Sequence, residues 1–188
     1  MIKPTQWQAW HYKPEWYAQD FFYSPDGVKT FPEHHCKMSW IMSKPYITET
    51  RQALDIGCRD GEYTRYLSNT FDHTYCFDPR LRWRFAYNCV QDRVTHYNCR
   101  AGIDLQIDDL QLKHIDYIKL DVDGHEVPIV KGSEATIKEY APIVVIEVER
   151  EAQREAQAIL EAWDYKVVEV DARDMDRLML HKTHKFFE

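Results

Sequence analysis

The sequence lacks any apolar run close to the ~20 residues that a membrane-spanning helix requires. Its N-terminal segment, MIKPTQWQAWHYKPEW, also lacks the apolar core of an export signal. The five cysteines form no CxxC pair, and an odd number cannot be fully paired within one chain. These absences predict a cytoplasmic protein with reduced thiols and without membrane contact, and they argue against a zinc site.

Positive charge is also scarce, because 24 Lys and Arg stand against 31 Asp and Glu and give a formal net charge of -7. A protein that binds nucleic-acid phosphates usually carries the opposite sign. The balance therefore argues against DNA or RNA as the main partner. Hydrophobic residues make up 44% and charged residues 29% of the 188 residues, which is typical of one globular unit with its own core.

The first fifty residues differ from the rest of the chain in composition. They contain no arginine, and their aromatic side chains, such as Trp7, Trp10 and Trp16, follow no sustained period. We predict an aromatic-rich cap or arm at residues 1–50 and the main domain at residues 51–188. The rings are expected to pack onto the core, with the lining of a substrate pocket as the alternative. The cluster His34-His35-Cys36 is predicted to lie in a loop.

From residue 51 onward, short apolar runs typical of strands alternate with stretches of helical character. Strands are predicted at 53–56, 74–77, 94–98, 115–122, 142–148, 165–170 and 177–181. Helices are predicted at 62–69, 80–90, 124–140 and 149–163. Such alternation predicts an α/β fold with a mostly parallel sheet, and the last two adjacent strands predict an antiparallel edge hairpin.

The first strand of this series runs into a turn of the form DxGxxxG, from Asp55 through Gly57 to Gly61. It is neither the GxGxxG of dinucleotide-binding proteins nor a phosphate-binding P-loop. A carboxylate at this strand end would repel a pyrophosphate and suit a cationic ligand. Asp78 comes just after the second strand, at the spacing where an acid accepts hydrogen bonds from ribose hydroxyls. Together these features favour a ligand that carries a nucleoside and a positive charge.

Four segments extend this pattern: ALDIGCRDGEYT, TYCFDP, IDYIKLDVDGHEVPIVKGSEATI and APIVVIEVE. In this order they resemble the signature blocks of the FkbM-type S-adenosylmethionine-dependent methyltransferases. The resemblance covers residues from about 53 to about 149, and its most specific block surrounds Asp121. It implies the class I methyltransferase fold, a Rossmann-like sandwich, and S-adenosyl-L-methionine as the cofactor.

The resemblance also implies roles for single residues in this chain. The methionine end of the cofactor would be held by the loop after the first strand, and the ribose by Asp78. Asp121, at the end of the fourth strand, would face the methyl group. The predicted cofactor-binding set is Asp55, Gly57, Cys58, Arg59, Gly61, Asp78 and Asp121.

A hydroxyl acceptor must lose its proton, and His125 is the first candidate base because an imidazole titrates near neutral pH. Asp121 and Asp123 are the next candidates. A solvated histidine in the first turn of a helix is the alternative interpretation of His125.

A divalent cation such as Mg²⁺ could be held by Asp121, Asp123, Glu126 and Glu147, but no metal is predicted. Acidic residues in the first turn of a helix are favoured by the helix dipole in any case.

The resemblance implies methyl transfer to a hydroxyl group of a sugar or another small molecule. The alternative is a catalytically inactive module of the same fold that binds the cofactor or a partner, since function depends on the site more than on the fold. A nucleic-acid methyltransferase is disfavoured, because the fourth-strand loop reads DVDGH and no cysteine follows a proline.

Overall fold

The computed structural model describes residues 2–3, 22–23, 29–30, 34–80, 89, 91–171 and 174–188. The predicted helix at 80–90 and the aromatic residues Trp7, Trp10 and Trp16 therefore lie outside the described residues, apart from Arg80 and Cys89. No helix of the described segments is long and apolar enough to span a membrane.

The elements follow one another in a regular order of strands and helices. The strands are β1 (Phe22–Tyr23), β2 (Lys29–Thr30), β3 (Gln52–Ile56), β4 (His73–Phe77), β5 (Val94–Tyr97), β6 (Ile115–Leu120), β7 (Ile143–Glu147), β8 (Tyr165–Val170) and β9 (Asp176–His181). The helices are α1 (His34–Ser43), α2 (Glu62–Thr70), α3 (Glu126–Lys131), α4 (Glu134–Tyr140) and α5 (Glu151–Ala162).

Seven of these strands form one sheet in the order β5-β4-β3-β6-β7-β9-β8. Strands β3 to β7 pair in parallel, whereas β9 pairs antiparallel with both β7 and β8. The predicted mostly parallel sheet with an antiparallel C-terminal hairpin is confirmed. Because β3 and β6 lie at the centre, the carboxyl ends of β3, β4 and β6 meet at one edge of the sheet, where ligands bind in open α/β sheets.

Side chains of the central strands alternate between two cores, one on each face of the sheet. Leu54 and Ile56 belong to one core, and Ala53 belongs to the other. Strand β6 repeats this division, with Ile118 on the first face and Tyr117 on the second. A strand that is apolar on both faces is typical of a parallel sheet covered by helices.

The loop predicted for His34-His35-Cys36 is wrong, because these residues begin helix α1. The buried face of α1 includes Ser39, Trp40 and Ser43, so the sequence shows no apolar stripe at helical spacing. Packing holds the helix instead: the Trp40 ring stacks on Tyr66 with centroids 5.8 Å apart.

The stretch between β5 and β6 contains no α-helix, only a turn and a short 3-10 helix at Asp108–Leu110. Asp108 caps the N-terminus of α4 from a distant part of the chain. Its carboxylate accepts hydrogen bonds from the backbone N–H groups of Ala135 and Thr136 at 2.9 Å.

Candidate functional site

Two cavities lie at the carboxyl ends of β3, β4 and β6. The larger has a volume of about 320 Å³ and the smaller of about 220 Å³. Gly57, Arg59 and Asp121 line both. The two spaces therefore adjoin at the turn after β3 and at the end of β6.

The turn after β3 is packed tightly against the neighbouring strands. The backbone N–H of Gly57 donates to the carbonyl of Phe77 at 2.8 Å. Gly57 has a φ of +89°, and a Cβ atom there would lie 1.8 Å from the carbonyl oxygen of Asp121. Only glycine fits this position, because the side chain of any other residue would meet the end of β6. Arg59, two residues later, has a φ of +44°, a left-handed conformation that is uncommon for arginine.

Asp55, the last but one residue of β3, is a buried carboxylic acid that lines the smaller cavity. The hydroxyl of Thr64 donates to its Oδ2 at 2.5 Å. Burial raises the pKa of Asp55 to about 7, although the Thr64 hydrogen bond and the charge of Lys119 oppose that rise. A buried acid with a raised pKa beside a cavity is typical of a functional site.

Asp78 follows β4 directly, and its carboxylate is fixed from two sides. Its Oδ2 accepts the backbone N–H of Arg59 at 3.1 Å, and its Oδ1 accepts that of Arg80 at 2.7 Å. The side chain is buried and lines the larger cavity. Each oxygen retains a lone pair, so the group can accept further hydrogen bonds from a ligand.

Asp121 directly follows β6 and lies beside a buried lysine. Lys119 Nζ lies 3.5 Å from Asp121 Oδ2 and 3.1 Å from Asp176 Oδ1 of β9. Burial disfavours the charge of Lys119, but the two carboxylates outweigh it and raise its pKa. Burial would also raise the pKa of Asp121, but the charge of Lys119, a hydrogen bond with Glu147 and the charge of Arg59 lower it. Asp121 is therefore ionised at neutral pH.

The loop from Asp121 to His125 is held by the buried carboxylate of Glu126. Its Oε1 accepts the backbone N–H groups of Val122 at 3.3 Å and of Gly124 at 3.2 Å. Gln153 of α5 donates to the same oxygen at 3.2 Å. Since both ends of this loop border the larger cavity, Glu126 fixes the cavity wall.

The larger cavity combines an apolar interior with a charged rim. Ile56, Phe77, Ala101 and Ile129 supply apolar surface, and the Phe77 ring is stacked on Tyr97 with centroids 5.1 Å apart. The exposed polar side chains of its rim are Arg59, Arg80, Arg100, Asp123 and His125. The cavity thus suits a flat apolar group with hydroxyls directed at Asp78.

The smaller cavity is predominantly acidic. Its four carboxyl groups, those of Asp55, Asp60, Glu62 and Asp121, outnumber its two cationic groups, those of Arg59 and Lys119. Cys36 of α1 closes one side, and burial raises the pKa of its thiol to about 12. The thiol is therefore neutral at physiological pH. The carboxyl groups give the cavity a negative charge, which suits a cationic group.

The structure brings together nearly all residues that the sequence predicts for the site. Gly61 is the exception, since it lines neither cavity and instead precedes α2, with its N–H donating to the Cys58 carbonyl at 2.7 Å. Asp123 and His125 line the larger cavity alone. Among the described residues, no group of three or more His, Cys, Asp or Glu side chains is arranged to hold a metal ion.

Two parts of the site were missed by reasoning from the sequence, namely the Lys119–Asp176 ion pair and the role of Glu126 in holding a loop. A signal for the first was present, because a lysine inside the apolar run IDYIKLDV must find a carboxylate partner. No local signal identifies Asp176 as that partner, because Asp176 lies 57 residues from Lys119 in the chain.

Comparisons with known proteins agree with this geometry. A family model described as the methyltransferase FkbM domain matches residues 31–186. A comparison with curated protein sequences finds no match.

Among solved structures, the methyltransferase FkbM of Methylobacillus flagellatus KT is similar at 20% identity with a TM-score of 0.58. The match covers 70% of this chain and 44% of that protein, so this chain corresponds to less than half of its length. A ribosomal protein L11 methylase of Lactobacillus delbrueckii subsp. bulgaricus matches at 10% identity with a TM-score of 0.62, covering 87% of this chain and 91% of that one.

A third structure is an N1-methyltransferase of Burkholderia thailandensis with bound 1,6-didemethyltoxoflavin and S-adenosylhomocysteine. It matches at 13% identity with a TM-score of 0.52, covering 79% of this chain and 77% of that one. These likenesses establish the fold, which is that of the class I methyltransferases.

Proposed function

The chain belongs to the methyltransferase FkbM family, and from this premise we propose that it transfers a methyl group from S-adenosyl-L-methionine to a hydroxyl group of a sugar or another small molecule. The observation that carries the proposal is the pair of adjoining cavities. One cavity is apolar with a buried carboxylate, and the other is acidic. This combination matches a cofactor that has a nucleoside at one end and two cationic groups at the other.

The donor set fits the cofactor group by group. Asp78 would accept the ribose hydroxyls, and the apolar lining at Phe77 and Ala101 would contact the adenine. The ammonium and sulfonium charges suit the smaller cavity, whose carboxyl groups include those of Asp55 and Asp121. The turn that contains Gly57, Cys58, Arg59 and Gly61 would hold the amino-acid end. When bound, the cofactor supplies a methyl group that its sulfonium makes electrophilic.

The protein's part in such a reaction is to hold and orient the acceptor and to take its proton. Candidates for the proton acceptor are His125, Asp121 and Asp123. Asp121 lines both cavities, whereas the other two line the larger one. No requirement for a divalent cation is proposed.

The division into an arm at 1–50 and a domain at 51–188 is also part of this proposal. Helix α1 lies within the arm, and its Trp40 packs in the same core as Tyr63 and Tyr117. This contact supports core packing for that ring, while Cys36 of the same helix lines the smaller cavity. The arm would thus both cover the core and border the site.

Calorimetric titration of the full chain with S-adenosylmethionine and S-adenosylhomocysteine, with NAD and ATP as controls, tests the cofactor assignment. We expect binding of the first two ligands alone. Release of S-adenosylhomocysteine is then measured with a panel of monosaccharides and small hydroxyl compounds, with Mg²⁺ and with EDTA. Turnover in both would confirm a metal-independent methyltransferase. Binding without turnover on any acceptor would favour the inactive module, and absence of binding would contradict the proposal.

A further inference from the structure

Asp121 and Glu147 lie side by side at the carboxyl ends of adjacent parallel strands. Leu120 of β6 is in register with Ile146 of β7, so the residue that follows each reaches the same edge of the sheet. A hydrogen bond between the two side chains lowers the pKa of Asp121 and contributes to raising that of Glu147. Two carboxyl groups can form such a bond only when one of them carries a proton.

Neighbouring elements hold this pair in place. Gln153 of α5 is fixed through its Oε1, which accepts the backbone N–H of Arg150 at 2.8 Å. Its Nε2 donates to Glu147 Oε2 at 3.4 Å. On the other side, Lys119 Nζ lies 3.5 Å from Asp121 Oδ2. The pair is thus bounded by an amide donor at one end and an ammonium at the other.

The charges that face the pair come from several elements. Lys119 of β6 and Arg59 of the turn after β3 are positive, and both lower the pKa of Asp121. Asp176 of β9 is negative and contributes to raising the pKa of Glu147. Asp55 of β3 also faces Asp121, whose charge raises the pKa of Asp55. Gln153 of α5 is uncharged, and its Nε2 also contacts Oε1 of the buried Glu126 at 3.2 Å.

These neighbours give the two acids different pKa values. Burial and the charge of Asp121 raise the pKa of Glu147 to about 7, whereas that of Asp121 is lowered. When the pair carries a proton, that proton therefore resides on Glu147, and Asp121 is the ionised member. Two acids with separated pKa values at one site are a common arrangement for proton transfer.

We propose that Asp121 and Glu147 act as one proton-accepting pair, in which Asp121 takes the proton of the acceptor hydroxyl and Glu147 is its positioning partner. The proposal rests on the proposed methyl transfer. In the step assigned to the pair, the acceptor's O–H bond would break and its electron pair would stay on the oxygen. That oxygen would bond the methyl carbon as the bond from this carbon to the cofactor's sulfur breaks, which leaves the electron pair on sulfur and gives S-adenosylhomocysteine. A new O–H bond forms on Asp121, and the proton later passes to water.

The position of Asp121 favours it over His125 in this role. Asp121 borders both cavities and therefore lies where the nucleoside side and the cationic side meet. His125 is exposed and lines the larger cavity alone. Within the described chain, no hydrogen bond fixes the imidazole of His125, whereas Asp121 is held by Lys119 and Glu147.

A titration that needs neither cofactor nor acceptor tests the pair itself. The full chain is labelled with ¹³C at the glutamate side-chain carboxyl carbon, and its NMR signals are followed with pH. We expect one glutamate to titrate near pH 7, to disappear in Glu147→Gln, and to shift downward by about one pH unit or more in Asp121→Asn. Glu149→Gln, at an exposed glutamate two residues along the chain, serves as the matched control. A signal that survives in Glu147→Gln, or that Asp121→Asn leaves unmoved, overturns the pair.

The rate of S-adenosylhomocysteine release on a monosaccharide from the panel, at saturating S-adenosylmethionine, tests the role of the pair. We expect the wild-type rate to rise with pH through about 7, because loss of the shared proton makes Asp121 a stronger base. In Glu147→Gln, the amide of the introduced glutamine donates an N–H to Asp121 at every pH. The rate of this variant should therefore not change with pH, and at about pH 8 it should be at least about tenfold lower than that of the wild type. Its affinity for S-adenosylhomocysteine should remain within about twofold.

The outcomes separate failure of this proposal from failure of the proposed function. A pH-dependent rate that persists in Glu147→Gln and is lost in His125→Gln would assign the proton to His125 and overturn the pair. Absence of cofactor binding would contradict the proposed function, while the NMR titration would still decide whether the two acids share a proton.

Discussion

Asp78 combines burial with two backbone hydrogen bonds, and so its carboxylate points in a fixed direction. Its two oxygens accept the N–H groups of Arg59 and Arg80, which leaves lone pairs available to the larger cavity. Such a preorganised acceptor binds hydroxyls with little loss of side-chain entropy.

We predict that Asp78→Ala weakens S-adenosylhomocysteine binding by ~1–3 kcal/mol, because the ribose hydroxyls lose their charged acceptor. Asp78→Asn keeps the size of the side chain and should weaken binding in the same direction. Calorimetric titration measures both, and the exposed Asp72→Ala serves as the control. An unchanged affinity in both Asp78 variants would place the ribose elsewhere.

The buried carboxyl group of Asp55 lowers the stability of the folded protein when it is ionised. Its pKa is raised from 3.8 to about 7 by burial, so the folded protein binds its proton more tightly than the unfolded chain does. The contribution of this group to stability is complete below about pH 4 and is lost as the pH rises to about 7. The charge that would attract a cationic ligand thus destabilises the folded protein without that ligand.

We predict that Asp55→Asn unfolds at a higher temperature than the wild type above about pH 7 and at nearly the same temperature at about pH 4. The amide oxygen can still accept the Thr64 hydroxyl, so packing should be preserved. Its affinity for S-adenosylmethionine should fall at the same time, because a carboxylate near the cationic end is lost. Thermal unfolding followed by circular dichroism across pH measures the first effect. A constant difference in Tm at all pH values would contradict the raised pKa.

At the scale of elements, two loops decide the shape of the site. The turn between β3 and α2 lies against the end of β6 through Gly57, and the loop between β6 and α3 is organised by Glu126. Both loops include a residue other than glycine with positive φ, Arg59 at +44° and Asp123 at +56°. Strained backbone at two loops that border one cavity is consistent with a functional role.

Two glycines of these loops allow a matched comparison. Gly57 and Gly124 both have positive φ, but a Cβ at Gly57 would lie 1.8 Å from a backbone oxygen, whereas nothing lies within 4 Å of one at Gly124. Gly124→Ala should therefore lower the free energy of unfolding by about 1–2 kcal/mol through backbone strain alone. Gly57→Ala should lower it by clearly more and abolish cofactor binding. Urea denaturation measures both, and equal losses would show that the close approach to Asp121 is unimportant.

At the scale of the whole molecule, the seven-stranded sheet brings the ends of β3, β4 and β6 together although they are distant in sequence. Ligand binding across these ends links turns that separate parts of the chain provide. Since the ligand binds the folded state alone, its binding should stabilise the entire molecule.

We predict that S-adenosylhomocysteine at about 100 times its Kd stabilises the protein by about 2.7 kcal/mol. For a chain of this length, that corresponds to a rise in Tm of roughly 5–10 °C. Differential scanning calorimetry measures the shift, with NAD as the control ligand. The Asp78→Asn variant should show a smaller shift at the same concentration, and an equal shift would contradict the ribose assignment.

The order and type of the elements could be predicted from the sequence, because hydrophobic alternation and turn residues are local signals. The strand of β6, the edge hairpin of β8 and β9, and the turn from Asp55 to Gly61 all follow from such signals. Helix α1 could not be predicted, because its buried face includes Ser39 and Ser43 and is stabilised by packing around Trp40.

The sequence by itself thus determined the α/β architecture, the family resemblance and the location of Asp55, Asp78 and Asp121 at strand ends. Only the tertiary structure decided that Lys119 meets Asp176 and that Glu126 holds its own loop. It also decided that Asp121 and Glu147, which the sequence grouped as possible cation ligands, pair with each other. The physical reason is that periodicity acts between near neighbours in the chain, whereas the partner of a buried charge is chosen by strand order and register. The acid–base chemistry that we propose depends on those partners.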